Sequence, residues 1–418
     1  MAEKFLIKGG VPLSGEVEIS GYKNSAGAVL AAVLLSEEPS VIDNLPLCTD
    51  VLDQIEILKQ MGAEVEWLKE KKLKINPKNI NPEKIPVELF EKMRVSILLA
   101  GPLLARFKKI KIPHPGGDKI GLRPISTHIR ALEKFGTKVE EKEGFYFLEL
   151  SDDPGNKRII LEEFSVTATE ILMMVAALSE NETKIELAAA EPQVQDLGNL
   201  LIKMGVEVSG LGTHTIIIRG KKQLKGAEFA ICPDLLEAGT FFIAFAITGG
   251  EGRIKNVNPE HLTFFLEKME EIGVNFETNN EIIVKKSGDF KPTKIQVLPY
   301  PGFPTDLQPQ TSVLLTQAKG KSLVHDPLYE NRFQHLHELR KMGADIEITD
   351  PHRALIFGKT ELTGSKLNTS DIRSGAALIL AGLIAKGGTV VDNISQIERG
   401  HEKIEEKLRK LGAKIERI

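Results

Sequence analysis

Between Pro113 and Pro124 the chain reads Pro-His-Pro-Gly-Gly-Asp-Lys-Ile-Gly-Leu-Arg-Pro. A carboxylate, an ammonium and a guanidinium thus share a stretch crowded with glycine and proline, which disfavours helix and strand alike. Glycine pairs let backbone N–H groups approach an anion, and Arg123, fixed beside Pro124, offers a planar fork suited to phosphate or carboxylate. The chemistry this combination allows is anion binding beside a carboxylate, Asp118. A Gly/Pro cluster alone is more often an ordinary surface turn. Comparable residues elsewhere in the chain favour an active-site loop.

Lys23-Asn24, Arg94 and Asp371-Ile372-Arg373 each stand at the start of a small, apolar run, as does Pro304-Thr305-Asp306. Such runs read as buried helices, whose N-termini favour anions. Asp, Asn and Ser there are ordinary caps, and capping suffices for Ser165 and Asp234. Cations at a helix N-terminus oppose the dipole, so Lys23, Arg94 and Arg373 are better explained by an anionic ligand. Glu330-Asn331-Arg332 and Glu398-Arg399-Gly400 add two more arginines in loops. Only 14 of the 54 basic residues are Arg, so their use in these segments points to bidentate recognition that Lys cannot copy.

The elements that position these residues repeat. An apolar residue, then Gly, then a short alternating strand follows an amphipathic helix at Gly62, Gly136, Gly205, Gly273, Gly343 and Gly412; subtracting successive positions gives 74, 69, 68, 70 and 69. Glycine is favoured there because the residue past a helix often turns left-handed. Each unit also holds a helix apolar nearly all round: Ser25 to Leu35, Val95 to Leu104, Val166 to Leu178, Ala238 to Ile247, Thr311 to Ala318 and Ser374 to Ala385. These must be buried, while the amphipathic helices belong outside. The reading is an inside-out α/β fold in which buried helices are surrounded by sheet and outer helices. Six units could form one ring or two groups of three; the size of the chain favours two domains, 22–231, and 1–21 with 232–418, the strand Lys4 to Lys8 completing the C-terminal group.

Net charge is −4 with 27% charged residues, so no global basic field recommends nucleic acid as a partner. Cys48 and Cys232 have no metal-ligand spacing, His335 and His337 face different directions on a helix, and no Walker or dinucleotide fingerprint is present. No apolar run reaches a membrane span, and the first residues lack a signal-peptide core. A cytoplasmic protein without membrane association is expected.

Together, Lys23-Asn24, Arg94, the Pro-Gly-Gly to Arg-Pro loop, Phe303-Pro304-Thr305-Asp306, Glu330-Asn331-Arg332-Phe333, Asp371-Ile372-Arg373 and Arg399-Gly400 resemble the UDP-N-acetylglucosamine 1-carboxyvinyltransferase family. The resemblance covers all six units. It implies that phosphoenolpyruvate and UDP-N-acetylglucosamine are the substrates, bound between two inside-out α/β domains, with no metal or organic cofactor. The 3-hydroxyl of the sugar adds to C2 of phosphoenolpyruvate, C3 takes a proton, and the ketal expels phosphate, in the step that opens peptidoglycan precursor synthesis. Lys23, Arg123 and Arg399 are implied for the phosphate, Arg332 and Arg373 for the carboxylate, and Asn24 for both substrates. Asp306 is the implied base and Asp118 the implied acid. Arg94, Pro124, Ile125, Ser165, Val166 and Leu328 are implied on the nucleotide-sugar side. Many relatives carry cysteine where this chain has Asp118; a carboxylate would not form the stable thioether by which fosfomycin inhibits them, so insensitivity is expected. Thr49, Ser126, Glu163 and Thr167 depart from the pattern near the nucleotide. The rival readings are the related 3-phosphoshikimate 1-carboxyvinyltransferase, a non-catalytic nucleotide-sugar binder, and a repeat-based interaction scaffold.

Overall fold

The computed structural model describes residues 3–151 and 155–418. All six repeat glycines have positive φ, between +94° and +110°, the conformation in which a side chain is most costly and which ends each preceding helix.

The chain packs as two units, each described here on its own. One comprises Gly21–Gly117 and Arg123–Cys232; the other comprises the chain up to Ser20, Asp118–Leu122 and Pro233–Ile418. The first is called the nucleus of residues 21–232 below, and the second the N/C unit.

Among the described residues, five of the six sheets share one order. An edge strand runs parallel to the strand that leaves a buried helix, and a hairpin adds two antiparallel strands beyond it. In the nucleus, Lys157–Ile160 pairs parallel with Glu182–Glu186, which pairs antiparallel with Thr215–Arg219. The buried helix Val166–Ala176 makes the crossover between the parallel pair. A parallel pair requires such a connection, and placing the helix on the sheet face buries both. The sheet of Lys109–Pro113, Phe145–Leu150 and Thr137–Lys142 lacks the parallel edge strand.

Two parallel pairings are exchanged along the sequence. Ser14–Glu18 precedes the helix Lys23–Ala32 but pairs with Glu251–Lys255 in the N/C unit. Glu228–Ala230 precedes the helix Leu235–Ile247 but pairs with Ser40–Asp43 in the nucleus. The chain therefore leaves one unit and enters the other after each of these edge strands. Within the N/C unit, Phe5–Lys8 lies between Gly388–Asp392 and Lys414–Arg417, antiparallel to both, and fills the hairpin position of the last sheet.

The core sits around the apolar helices. Every residue of Leu235–Ile247 and of Gln308–Leu315 is buried; the first is almost wholly apolar, and in the second Gln308 Nε2 donates to Ser312 Oγ and Thr311 Oγ1 to Leu307 O, each at 2.7 Å. The apolar stretch from Val95 begins as a 3₁₀ turn, Val95–Leu99, and becomes α-helical over Ala100–Phe107. One amphipathic helix departs from its expected outer place: Pro192–Met204 buries nine of its thirteen residues because it packs along Lys23–Ala32. Among the described residues no helix is long and apolar enough to cross a membrane.

Candidate active site

In the N/C unit, Asp306 lies in the 3₁₀ turn Thr305–Leu307 that leads into Gln308–Leu315. Its Oδ1 accepts a hydrogen bond from Arg332 Nη2 at 2.5 Å and its Oδ2 accepts one from Arg373 Nε at 3.1 Å. The two guanidiniums thus clamp one carboxylate from separate elements. Arg332 is almost wholly buried, and such a charge survives only if paired. Burial opposes its charge, but Asp306, Asp371 and Asp326 more than offset this and hold its pKa above the usual guanidinium value. Asp371 caps Ile372–Ile384, accepting from Arg373 N and Ser374 N, each at 3.0 Å. The cap therefore orients the first turn that carries Arg373.

Arg399 follows the short helix Ser395–Glu398. Its Nη1 donates to Asp118 Oδ1 and, at 3.0 Å, to Gln396 Oε1. The Asp118–Leu122 segment is held further by residues just ahead of Arg332. Glu330 Oε1 accepts from Leu122 N at 2.5 Å, and Asn331 Nδ2 donates to Lys119 O at 2.8 Å. Leu328, also implied by the resemblance, is exposed and donates its N–H to Asp326 Oδ1 at 3.1 Å.

In the nucleus, Lys23 opens Lys23–Ala32 and its Nζ lies 2.8 Å from Asp50 Oδ2, both side chains largely buried. Asn24 Nδ2 donates to the Tyr22 hydroxyl at 3.2 Å. Arg94 Nη2 donates to Pro124 O at 3.1 Å. Gly117, at φ +122°, leaves no room for a side chain between the Arg94 backbone and the Arg123 guanidinium. Ile125 is buried just ahead of the helix Ser126–Phe135. Ser165 caps Val166–Ala176, its hydroxyl accepting from Ala168 N at 3.3 Å, and Val166 is the first helical residue.

One pair was not legible as a site from sequence. His128 Nε2 and Thr167 Oγ1 are 2.7 Å apart, joining the starts of the two helices that carry Ile125 and Ser165. Burial, then the Arg94 and Arg123 charges, push the His128 imidazole down to about 3. It is a neutral hydrogen-bonding group at physiological pH. A single His in an amphipathic helix carries no signal of this.

The cations therefore share a pattern. Lys23 is paired with Asp50, Arg399 with Asp118, and Arg332 and Arg373 with Asp306. Carboxylates interleaved with several cations reduce their mutual repulsion while leaving each cation able to exchange its partner for another anion. Among the described residues no group of three or more His, Cys, Asp or Glu side chains is placed to hold a metal ion.

A six-unit inside-out α/β chain with arginine–carboxylate pairs at its helix starts defines a class. The chain belongs to the EPSP synthase (3-phosphoshikimate 1-carboxyvinyltransferase) family, whose model matches residues 7–408. Within it, the chain is 44% identical to the UDP-N-acetylglucosamine 1-carboxyvinyltransferase of Koribacter versatilis, covering 100% of this chain and 96% of that protein. It is 44% identical to UDP-N-acetylglucosamine 1-carboxyvinyltransferase 1 of Caldanaerobacter subterraneus, with 100% of both chains covered. Among solved structures it resembles the enolpyruvyl transferase NikO from Streptomyces tendae, with a TM-score of 0.89 at 22% identity over 100% of this chain and 99% of that one. EPSP synthase from Acinetobacter baumannii follows at a TM-score of 0.75 and 17% identity over 100% of both chains. At those identities the structures speak to the fold alone.

Proposed function

We propose that this chain transfers the enolpyruvyl group of phosphoenolpyruvate to the 3-hydroxyl of UDP-N-acetylglucosamine, releasing phosphate. The observation that carries the reading is the clamp of Arg332 and Arg373 on Asp306, taken with full-length identity to relatives of that name. A family model described as 3-phosphoshikimate 1-carboxyvinyltransferase keeps shikimate 3-phosphate as the acceptor to be tested against it.

In this proposal Asp306 takes the proton from the 3-hydroxyl as its oxygen bonds to C2 of phosphoenolpyruvate. Asp118 gives a proton to C3. The C2–O bond to phosphate then breaks, phosphate leaves with that electron pair, and a proton is lost from C3 to regenerate the double bond. Lys23, Arg123 and Arg399 hold the phosphate, Arg332 and Arg373 the carboxylate, and Asn24 both substrates. Arg94, Pro124, Ile125, Ser165, Val166 and Leu328 serve the nucleotide sugar. Fixed cations beside the centre that develops charge stabilise the transition state without reorganising.

The ion pairs give this scheme a sequence. Phosphate competes with Asp118 for Arg399, so its binding would release the Asp118 carboxyl group from that guanidinium. The substrate carboxylate competes likewise with Asp306 for Arg332 and Arg373. Aspartate at position 118 also leaves no thiol for fosfomycin. A cytoplasmic location, where a nucleotide sugar and phosphoenolpyruvate meet, completes the proposal. Its test is acceptor-dependent phosphate release, with Asp118→Ala as the control.

A further inference from the structure

The motif Glu330-Asn331-Arg332-Phe333 supplies one cation, Arg332, to the site, and the two residues before it, exposed or half-buried, are both engaged with the loop. Three hydrogen bonds join them to the backbone of Lys119, Ile120 and Leu122 at the loop tip. Glu330 Oε1 accepts from Leu122 N at 2.5 Å, Asn331 N donates to Ile120 O at 3.1 Å, and Asn331 Nδ2 donates to Lys119 O at 2.8 Å. Gly121, at φ +151°, lies so close to the Glu330 carboxylate that a Cβ there would collide with it. The fit is therefore between a glycine backbone and an acidic side chain, and it begins one residue after Asp118.

We infer that Glu330 and Asn331 are positioning residues, a catch that seats the Lys119–Leu122 backbone and thereby fixes Asp118 against Arg399. The inference rests on the proposed role of Asp118 as the acid. All the groups concerned lie in the N/C unit, whereas the chain on either side of Asp118–Leu122 belongs to the nucleus. The catch thus acts on a five-residue segment that its flanking chain does not hold within that unit. Leu122 itself is 87% exposed, whereas Ile120 is buried, so the tip is held by the Ile120 side chain together with the hydrogen bonds from Glu330 and Asn331. Because Glu330 and Asn331 are contiguous with the buried Arg332, the loop tip and the cation for the substrate carboxylate share one short stretch of backbone.

The experiment compares wild type, Glu330→Ala, Glu330→Gln and Asn331→Ala in two assays. One measures phosphate release from phosphoenolpyruvate with UDP-N-acetylglucosamine, separating kcat from KM. The other follows tryptic cleavage after Lys119; Arg123 is protected by the following Pro124, so Lys119 reports on the tip. Glu330→Ala and Asn331→Ala should lower kcat by about 10²-fold, the scale of a small misplacement of a reacting group, with KM for the sugar nucleotide changed less than about threefold. Cleavage after Lys119 should quicken by about tenfold as the local opening free energy falls. Glu330→Gln keeps an oxygen acceptor for Leu122 N and should stay near wild type in both assays. Unchanged kcat and cleavage in both alanine variants would overturn the catch, as would a Gln variant as impaired as the Ala one. Absence of turnover in wild type would instead count against the proposed reaction, and the cleavage rates would still decide the catch.

Discussion

At the scale of single residues, Asp306 and Asp118 are distinguished by what holds them. Asp306 is gripped by two guanidiniums from separate elements, whereas Asp118 has Arg399 and sits on a loop tip. Asp306→Asn keeps the shape and removes the proposed base, so kcat should fall about 10²- to 10⁴-fold while calorimetric affinity for UDP-N-acetylglucosamine changes little; turnover within threefold of wild type would exclude Asp306 as the base. At position 118 the prediction concerns inhibition. Wild type should turn over undiminished in fosfomycin, and Asp118→Cys should become progressively inactivated by it, since only the thiolate is a strong enough nucleophile at neutral pH. Rapid inactivation of the wild type would contradict this.

At the scale of elements, the helix Gln334–Lys341 carries a buried imidazole behind the Asp306 clamp. Burial, with the Arg332 charge adding to it and Asp371 opposing, pushes His335 down to about 3. In the unfolded chain it titrates near 6.5. Between those values the unfolded state binds more protons, so this group's contribution is present above about pH 6.5 and is lost as pH falls towards 3. Asp234, raised by burial to about 6, has the opposite sign: its contribution is present below the ordinary Asp value and is lost as pH rises through 6. Comparing His335→Leu with wild type isolates the histidine. The stability of wild type relative to the variant should decline by about 3 kcal/mol from pH 6.5 to 4, read by denaturant titration at each pH. A difference independent of pH would show that His335 is not held neutral.

The elements were unequally legible. The apolar helices announced themselves because no face of them could meet water, and the six glycines because each ends a helix at positive φ. The strand Ser14–Glu18 escaped notice. Its sequence, Ser-Gly-Glu-Val-Glu, has one buried residue and is a strand because Glu251–Lys255 offers it a parallel edge. Pro192–Met204 read as an outer helix from its charges, yet Asp196 is buried, accepting from the Ser25 hydroxyl and from Cys232 N. In the candidate site, Arg94, Arg123, Arg332, Arg373 and Arg399 stood out through residue type and context. The His128–Thr167 pair and the use of Glu330 did not, because both depend on distant segments meeting.

At the scale of the molecule, the cations and carboxylates are distributed over two units that each carry three repeats of one plan, and the proposed substrates are both anions. Ligands that bind only the folded protein should stabilise it by mass action. At about one hundred times its dissociation constant, UDP-N-acetylglucosamine should add about 2.7 kcal/mol, visible as a rise in the thermal transition; shikimate 3-phosphate should give no such rise. A shift with shikimate 3-phosphate alone would point to the other acceptor.

The most direct test is phosphate release from phosphoenolpyruvate by wild type and Asp118→Ala, with UDP-N-acetylglucosamine, with shikimate 3-phosphate and with no acceptor. Release that requires UDP-N-acetylglucosamine and is lost in Asp118→Ala is the predicted result. Release driven by shikimate 3-phosphate, or none with either acceptor from folded wild type, would contradict the account.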